Sequence, residues 1–304
     1  MLQQLKRAAK ANPTLVRAVR ATYPALAWVS NRRAIYTRMA PYLADMQFDE
    51  VRLGGRGNEP ETLLRRTSSA IDLATSDVLV LGVGAGAELT LWEQQHPRSL
   101  TATDFMAFPE AWPRHAATRF VQADVRGLPF ADRSFDVIAS TALLEHVDGM
   151  GALCGEMRRV LRPGGLVFAN FGPLYYTYGG AHFSGAYEHL WMTDAQFDQY
   201  LEARAIPSEM EDGLLWLRNG MFSRLRYHEY REILQRDFEF EHVILGVSAE
   251  ALRYKRSHPL EWRALCERHA ERDLLTFSMT VWMRPRAVAA ADRSSLEPAL
   301  ETAA

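Results

Sequence analysis

Three glycines at alternate positions follow the first strongly apolar run of the chain, in "VLVLGVGAGAEL". Gly82, Gly84 and Gly86 allow a tight turn and let a ligand approach the backbone closely. The next apolar run, "SLTATD", ends in Asp104, whose carboxylate could accept hydrogen bonds from both hydroxyls of a ribose. The spacing therefore predicts a site for an adenosine-containing ligand. The alternative is a plain strand-to-helix turn, with Asp104 as the N-cap of the following helix.

A second set of reactive side chains lies in "GPLYYTYGGAHFSGAYEHLWM", residues 172–192. His182, Glu188 and His189 could take a proton from a hydroxyl, phenol or amine. The aromatic residues around them would supply apolar walls with polar tips. The predicted substrate-lining residues are Tyr175, Tyr176, Tyr178, His182, Tyr187 and Trp191. In the alternative, the segment packs against the amino-terminal helices and His189 bonds to the backbone.

The elements that must position these residues alternate between apolar strands and helix-like segments. Five candidate strands are "DVLVLGV", "SLTATD", "RFVQAD", "FDVIAST" and "GLVFANF". Strands separated by helices indicate a parallel sheet that is covered on both faces. Two later runs, "FEFEHVILG" and "DLLTFSMTVWMRP", add a sixth and a seventh strand. The predicted fold is α/β, with a Rossmann-like, mostly parallel sheet of seven strands.

Residues 1–70 are predicted to form a helical cap, residues 71–286 the main domain, and residues 287–304 a disordered alanine-rich tail. An insertion over about 172–225 would form a lid over the substrate. The cap is basic from Lys6 to Arg38 without an acidic residue, which leaves open a transit peptide or a membrane-surface helix. No apolar run approaches the roughly 18 residues that span a bilayer. Two cysteines and a net charge of -2 fit a cytoplasmic protein that does not bind nucleic acid.

Residues 77–171 carry six short motifs in a fixed order. These are the glycine loop, Asp104, "AD" at 123–124, "FD" at 135–136, "EHV" at 145–147 and "LRPGG" at 161–165. In this combination the chain resembles the class I S-adenosylmethionine-dependent methyltransferases, in particular their small-molecule branch. The resemblance implies a last strand that is antiparallel and lies between strands five and six. It also implies S-adenosylmethionine as the cofactor.

The resemblance assigns a part of the cofactor to each motif. Gly82, Gly84 and Gly86 would line its methionine part. The ribose would bind to Asp104 with Phe105 beside it, the adenine to Asp124 and Val125, and the segment from Ser140 to Leu144 would border the sulfonium. The chain departs from many family members in one respect, because Val80 stands where they carry an acid two residues before the first glycine.

Glu145 and His146 suggest an acid and a base near the methyl group, although a purely architectural role is the alternative. The predicted catalytic residues are His146, His182 and His189. No ligand spacing indicates a metal site. The expected reaction is methyl transfer to a small molecule, with oxygen favoured because candidate bases are present. Transfer to nitrogen or carbon, and an inactive binding subunit, remain alternatives, as does a homodimer.

Two other enzyme classes are disfavoured by missing motifs. A nicotinamide-dependent oxidoreductase would need a second catalytic constellation such as Tyr-x-x-x-Lys, which the chain lacks. A nucleic-acid methyltransferase would carry an "NPPY"-type motif after strand four, where this chain reads "STALLEHV".

Overall fold

A single eight-stranded sheet forms the centre of the protein. The computed structural model describes residues 46–53, 60–183, 185–204 and 214–287. The strands follow the order β1-β7-β8-β6-β5-β2-β3-β4. Their bounds are β1 Glu50–Leu53, β2 Asp77–Leu81, β3 Ser99–Asp104, β4 Thr118–Gln122, β5 Phe135–Thr141, β6 Leu161–Phe171, β7 Phe238–Val247 and β8 Thr276–Pro285.

The predicted mostly parallel α/β sheet is confirmed. Strand β8 is antiparallel to both of its neighbours, β6 and β7, and every other pairing among the described strands is parallel. The last strand is thus inserted where the family resemblance placed it. Its predicted start was wrong by three residues, because Asp273 to Leu275 end a helix and the strand begins at Thr276.

Strand β1 is an eighth strand that the sequence did not predict. It pairs in parallel with β7 at the edge of the sheet, inside the stretch that was assigned to a helical cap. The strand has four residues, "EVRL", and Glu50 and Arg52 form an ion pair along it. Its polar and apolar residues alternate over only four positions, directly before the stretch "GGRGNEPE", which is too short a run to mark a strand.

Helices cover both faces of the sheet. They are α1 Pro60–Ala70, α2 Leu89–Glu93, α3 Met150–Val160, α4 Asp194–Arg204, α5 Leu214–Arg218, α6 Tyr227–Asp237, α7 Ala249–Ser257, α8 Pro259–Cys266 and α9 Glu271–Leu275. Helices α1 and α2 pack on one face, around Val78, Val80 and Trp282. Helices α3 and α6 to α9 pack on the other face, around Leu79 and Leu81. Alternate residues of one strand therefore fill two separate cores.

The segment after β6 forms a third apolar cluster of its own. Ala181, Phe183 and Phe222 from its loops pack with Phe197 and Leu201 from α4. This cluster stands above the carboxyl ends of β5 and β6, since the insertion leaves the sheet at Gly172. Most of the predicted cap (residues 1–45) and the tail from residue 288 lie outside the described residues. Among the helices that are described, none is long and apolar enough to cross a membrane.

Candidate functional site

The glycine loop between β2 and α2 has the backbone that its sequence predicts. Gly82, Gly84 and Gly86 all have positive φ, at 69°, 51° and 87°. A Cβ on Gly82 would lie 2.9 Å from Leu143, so the absence of a side chain lets the loop after β5 approach closely. A Cβ on Gly84 would have no described atom within 4 Å. The loop therefore has a packed side at Gly82 and an open side at Gly84.

Asp104 connects the end of β3 to this loop. Its Oδ2 accepts a hydrogen bond from the Gly84 amide at 2.8 Å, and its Oδ1 accepts one from the Met106 amide at 2.9 Å. Trp112 closes the other side of the loop, where its Nε1 donates to the Gly84 carbonyl at 2.9 Å. A carboxylate oxygen can accept a second hydrogen bond. Asp104 is thus fixed in position and can still receive ligand hydroxyls, while Phe105 beside it is 60% exposed.

Asp124, after β4, is held in a different way. Its carboxylate forms an ion pair with the Arg126 guanidinium at 2.7 Å and accepts a hydrogen bond from the Arg126 amide. Hydrogen bonds from Arg126 hold the pKa of the Asp124 carboxyl below its ordinary value, so the group is ionised. The next residue, Val125, is buried. A ligand amino group at Asp124 would share the carboxylate with Arg126.

Ser140 and Leu144, on either side of the turn after β5, occupy unlike environments. The Ser140 hydroxyl is buried and has no hydrogen-bond partner within the described part of the chain. Thr103, on the same side of the sheet, has a hydroxyl in the same situation. Leu144 is fully buried in the core. The structure thus gives Leu144 a packing contact and leaves two buried hydroxyls close to the glycine loop.

Two of the three predicted catalytic histidines come together. The ring centroids of His146 and His182 are 4.6 Å apart, and Trp216 lies 4.5 Å from the first and 4.8 Å from the second. His146 Nδ1 is 3.1 Å from the Met221 carbonyl. The buried Glu145 accepts a hydrogen bond from the Gly172 amide at 2.9 Å. One ligand atom each of Glu145, His146 and His182 lies within 4.8 Å of the other two.

His189 lies apart from that pair. It is 2% exposed, and its Nε2 is 2.7 Å from the Tyr175 carbonyl. Aromatic rings of Tyr175, Phe183 and Phe197 surround it. Burial lowers the pKa of His189 to about 4, so its imidazole is neutral near pH 7. This is the placement that the packing alternative describes, and it gives His189 no open side toward a substrate.

The predicted aromatic wall is divided among several neighbours. Tyr187 is 1% exposed and its hydroxyl donates to the Leu274 carbonyl at 2.9 Å, which makes it a core residue. Tyr178 packs edge-on against Tyr187. The remaining rings lie under arginine guanidinium groups, namely Tyr175 under Arg224, Tyr176 under Arg226 and Trp191 under Arg268. Within the described part of the chain, the segment therefore packs on the carboxyl-terminal helices, and the predicted amino-terminal helices lie outside the described residues.

A cavity of about 590 Å³ shares Phe222 with the surroundings of the histidine pair, although neither histidine lines it. Its lining comes from the start of α3 (Asp148 to Gly151), from Asp194, and from Leu217, Gly220, Phe222, Ser223, Arg224, Leu225 and Ile233. Phe222 connects the two features, since its ring centroid is 6.1 Å from that of His182. The sequence reasoning missed Trp216, Phe222 and Arg224, because no local motif marks residues whose role depends on how the insertion folds back.

Comparisons with known proteins agree with this geometry. Residues 79–169 match the family model described as a methyltransferase domain. The malonyl-[acyl-carrier protein] O-methyltransferase of Pectobacterium atrosepticum is 34% identical over 111 residues, which are 34% of this chain and 44% of that protein. A phthiotriol/phenolphthiotriol dimycocerosates methyltransferase of Mycobacterium tuberculosis is 32% identical over 108 residues, 34% of this chain and 40% of that protein. The chain thus matches less than half the length of these relatives.

Solved structures of methyltransferases align with the chain at low sequence identity. An S-adenosylmethionine-dependent methyltransferase from Mesorhizobium loti aligns with a TM-score of 0.47 at 18% identity, over 76% of this chain and all of that one. The N-methyltransferase NodS from Bradyrhizobium japonicum, in complex with S-adenosyl-L-homocysteine, aligns with a TM-score of 0.44 at 15% identity, over 75% and 86%. By its family match over residues 79–169, its sheet order and its glycine loop, this part of the chain is a methyltransferase domain of the S-adenosylmethionine-dependent class.

Proposed function

We propose that this protein transfers a methyl group from S-adenosylmethionine to an oxygen of a small-molecule acceptor. The observation that carries the proposal is a single juxtaposition. In the loop after β5, Leu143 packs against Gly82 of the glycine loop. In the same loop, next to Glu145, His146 contacts His182. A site for the cofactor and a pair of candidate bases are therefore parts of one structure.

The residues present fit the cofactor. The open side at Gly84 leaves room for a ligand against the backbone, and Asp104 keeps acceptor capacity for two ribose hydroxyls. The buried Ser140 hydroxyl supplies a hydrogen-bonding group that no described side chain uses. When it is bound, S-adenosylmethionine supplies an electrophilic methyl group on a positively charged sulfur.

On the acceptor side, the chain would position an oxygen and remove its proton. Methyl transfer is an in-line displacement, so the alignment of acceptor and methyl group contributes much of the rate. Trp216 and Phe222 form aromatic walls beside the two imidazoles and would hold an acceptor there. We assign proton removal to the cluster of His146 and His182. The buried His189 is not needed for this step.

The acceptor that we propose is a small or carrier-linked molecule with a hydroxyl or carboxyl group. A volume of about 590 Å³ is within the range of small-molecule sites. Arg224 at its wall could pair with an anionic part of the acceptor, although it also pairs with Asp194 at 2.6 Å. One relative is named as a malonyl-[acyl-carrier protein] O-methyltransferase, and another as a phthiotriol/phenolphthiotriol dimycocerosates methyltransferase. The first of these names supports an oxygen acceptor.

Calorimetric titration with S-adenosylmethionine and S-adenosyl-L-homocysteine tests the cofactor half of the proposal. Both should bind to the full chain, and Asp104→Asn should weaken binding by at least about tenfold, because an amide cannot accept at both of its heteroatoms. Asp132→Asn is the matched control, since that side chain is 73% exposed and pairs with Arg159. If neither ligand bound at millimolar concentration, the proposal would be wrong.

The acceptor atom requires a separate experiment. We would incubate the enzyme with S-adenosylmethionine labelled with ¹³C in the methyl group and with panels of phenols, carboxylic acids, alcohols and amines. The carbon chemical shift of each product distinguishes a methyl group on oxygen from one on nitrogen or carbon. Products confined to amines would contradict the assignment of oxygen while leaving methyl transfer intact.

A further inference from the structure

Glu145, His146 and His182 form the one cluster among the described residues whose side chains have the composition and spacing of a metal site. Each offers one ligand atom, and the three atoms all lie within 4.8 Å of one another. We propose that these three residues bind a divalent transition-metal ion. No motif in the sequence predicts this site, because two of the ligands are adjacent in the chain and the third lies in the insertion.

The three ligand atoms would have to move only slightly closer together to bind an ion. Zinc binds imidazole nitrogen at about 2.0–2.1 Å, which places neighbouring donors on a tetrahedral centre about 3.4 Å apart. The three donors would therefore move together by about 1.4 Å at most. His182 can supply part of this movement, since it lies in a loop with Gly179 and Gly180 and has a φ of 58°.

Backbone groups already orient two of the three ligands. The hydrogen bond between His146 Nδ1 and the Met221 carbonyl selects the tautomer in which Nδ1 carries the proton and Nε2 does not. The Gly172 amide donates to Oε1 of Glu145 and so fixes the position of that carboxylate. Metal-binding imidazoles and carboxylates commonly have such supporting hydrogen bonds. Orientation of this kind is expected of a site that is formed before the ion arrives.

The ligand types and the surroundings narrow the choice of ion. Two imidazoles with one carboxylate suit Zn²⁺, Co²⁺, Ni²⁺ or Fe²⁺ better than Mg²⁺ or Ca²⁺, which prefer oxygen ligands. Glu145 is 2% exposed, and a carboxylate in such a low-dielectric position attracts a cation strongly. The rings of Trp216 and Phe222 lie beside the two histidines. Zinc sites with three protein ligands keep a coordination position open for water or substrate.

What the ion would do rests on the proposed function, although its binding does not. The acceptor's hydroxyl oxygen would take the open coordination position, where the ion lowers its pKa and the proton passes to water. A lone pair of that oxygen then forms the bond to the methyl carbon. The carbon–sulfur bond breaks, its electron pair stays on sulfur, and S-adenosyl-L-homocysteine is the product. In this arrangement the two histidines promote the loss of the acceptor's proton by holding the ion.

Metal binding can be measured without any turnover. The full-length protein, freed of metal by chelator and dialysis, is titrated with Zn²⁺ in competition with a chromophoric chelator. It is then titrated with Co²⁺, whose visible absorption reports coordination by nitrogen and oxygen. We expect one equivalent of each ion to bind, with a Co²⁺ spectrum of four or five ligands. If neither ion bound at micromolar concentration, the proposal would be overturned.

Variants identify the ligands. Glu145→Gln keeps an oxygen that can accept from the Gly172 amide but removes the charge, and His182→Gln removes an imidazole. Each should weaken Zn²⁺ binding by at least about tenfold and change the Co²⁺ spectrum. His258→Gln, at an exposed histidine, and Cys266→Ser, at an exposed thiol, should change neither. Loss of binding in these two variants, with the first two unaffected, would place the ion elsewhere and contradict the assignment.

Calorimetry with S-adenosyl-L-homocysteine on the same samples separates the two proposals. Cofactor binding without metal binding would contradict only the proposed metal site. Metal binding without cofactor binding would contradict the proposed methyl transfer and support the metal site.

Discussion

The imidazole rings of His146 and His182 lie 4.6 Å apart, although one belongs to the turn after β5 and the other to the insertion after β6. If the two imidazoles act as one unit, removal of the acceptor's proton requires both of them. Their contact depends on the fold of the insertion, which returns to the sheet at Gly172. There the amide bonds to Glu145, the residue next to His146. The histidine pair thus lies where the sheet and the insertion after β6 meet.

The first prediction concerns this pair. His146→Gln and His182→Gln should each lower kcat by about 10²-fold or more, because proton removal from the acceptor is lost. The dissociation constant for S-adenosyl-L-homocysteine should stay within about twofold. Steady-state kinetics and calorimetry on the same preparations measure both quantities, with His258→Gln as the matched control.

The double variant adds a sharper test of the same pair. Residues that act as a unit give strongly non-additive losses, so His146→Gln/His182→Gln should lose about as much as either single variant. A double loss equal to the product of the single losses would show that the histidines act independently.

The second prediction contrasts two glycines of the same loop. Gly84→Ala should weaken binding of S-adenosyl-L-homocysteine by about tenfold, because the new methyl group enters the open side of the loop. The positive φ of 51° should cost about 1 kcal/mol of stability. Gly82→Ala adds a contact of 2.9 Å with Leu143, so it should cost about 1–3 kcal/mol more in overpacking.

Thermal unfolding and calorimetry distinguish these outcomes. Gly82→Ala should have the lower melting temperature of the two, and Gly84→Ala should lose affinity out of proportion to its stability. Unchanged affinity in Gly84→Ala would show that the ligand does not lie over that glycine.

The sequence predicted the sheet and the glycine loop well because the signals for both are local. Gly82 and Gly84 follow β2 and Asp104 ends β3, so the parallel pairing of these two strands brings them together without further information. Strand β1 was missed because an alternation of four residues is too short to mark a strand. Its pairing with β7 is a contact across most of the chain, which no local signal reports.

The acceptor side was predicted less completely, and the reason is again the range of the contacts. Tyr187 has the sequence context of a pocket wall, but its hydroxyl reaches the Leu274 carbonyl on another helix. His182 and His189 look alike in sequence, in one aromatic segment, and only tertiary packing separates them. The composition of the segment predicted residues able to bind a substrate or transfer a proton. Which neighbours each of these residues contacts depends on the tertiary fold.

The third prediction tests the core position of Tyr187. Tyr187→Phe should lower the free energy of unfolding by about 1 kcal/mol, since a buried hydrogen bond is lost. The loss should stay small because Thr177 Oγ1 also donates to the Leu274 carbonyl, at 3.1 Å. The KM for the acceptor should not change. Denaturant titration and kinetics check the two parts, and a raised KM at unchanged stability would return Tyr187 to the pocket wall.

The fourth prediction uses the pH dependence of stability at His189. Burial lowers its pKa from 6.5 to about 4 in the folded protein. Between these values the unfolded chain binds a proton at His189 and the folded chain does not, so stability rises with pH in this window. Folded-state stability should consequently fall as the pH is lowered from about 6.5 to about 5, by about 2 kcal/mol from this residue.

His189→Gln isolates that contribution, because glutamine can still donate to the Tyr175 carbonyl but does not titrate. Urea unfolding gives the stability of both proteins from pH 7 to pH 5. The stability of the unmodified protein relative to the variant should decrease as the pH falls. The same exchange at exposed His258 controls for the loss of a histidine as such. Parallel stability curves for His189→Gln and the unmodified protein would mean that His189 takes up a proton as readily in the folded protein as in the unfolded chain. An accessible imidazole of that kind would be a third candidate base, since the proton could then pass between His189 and an acceptor.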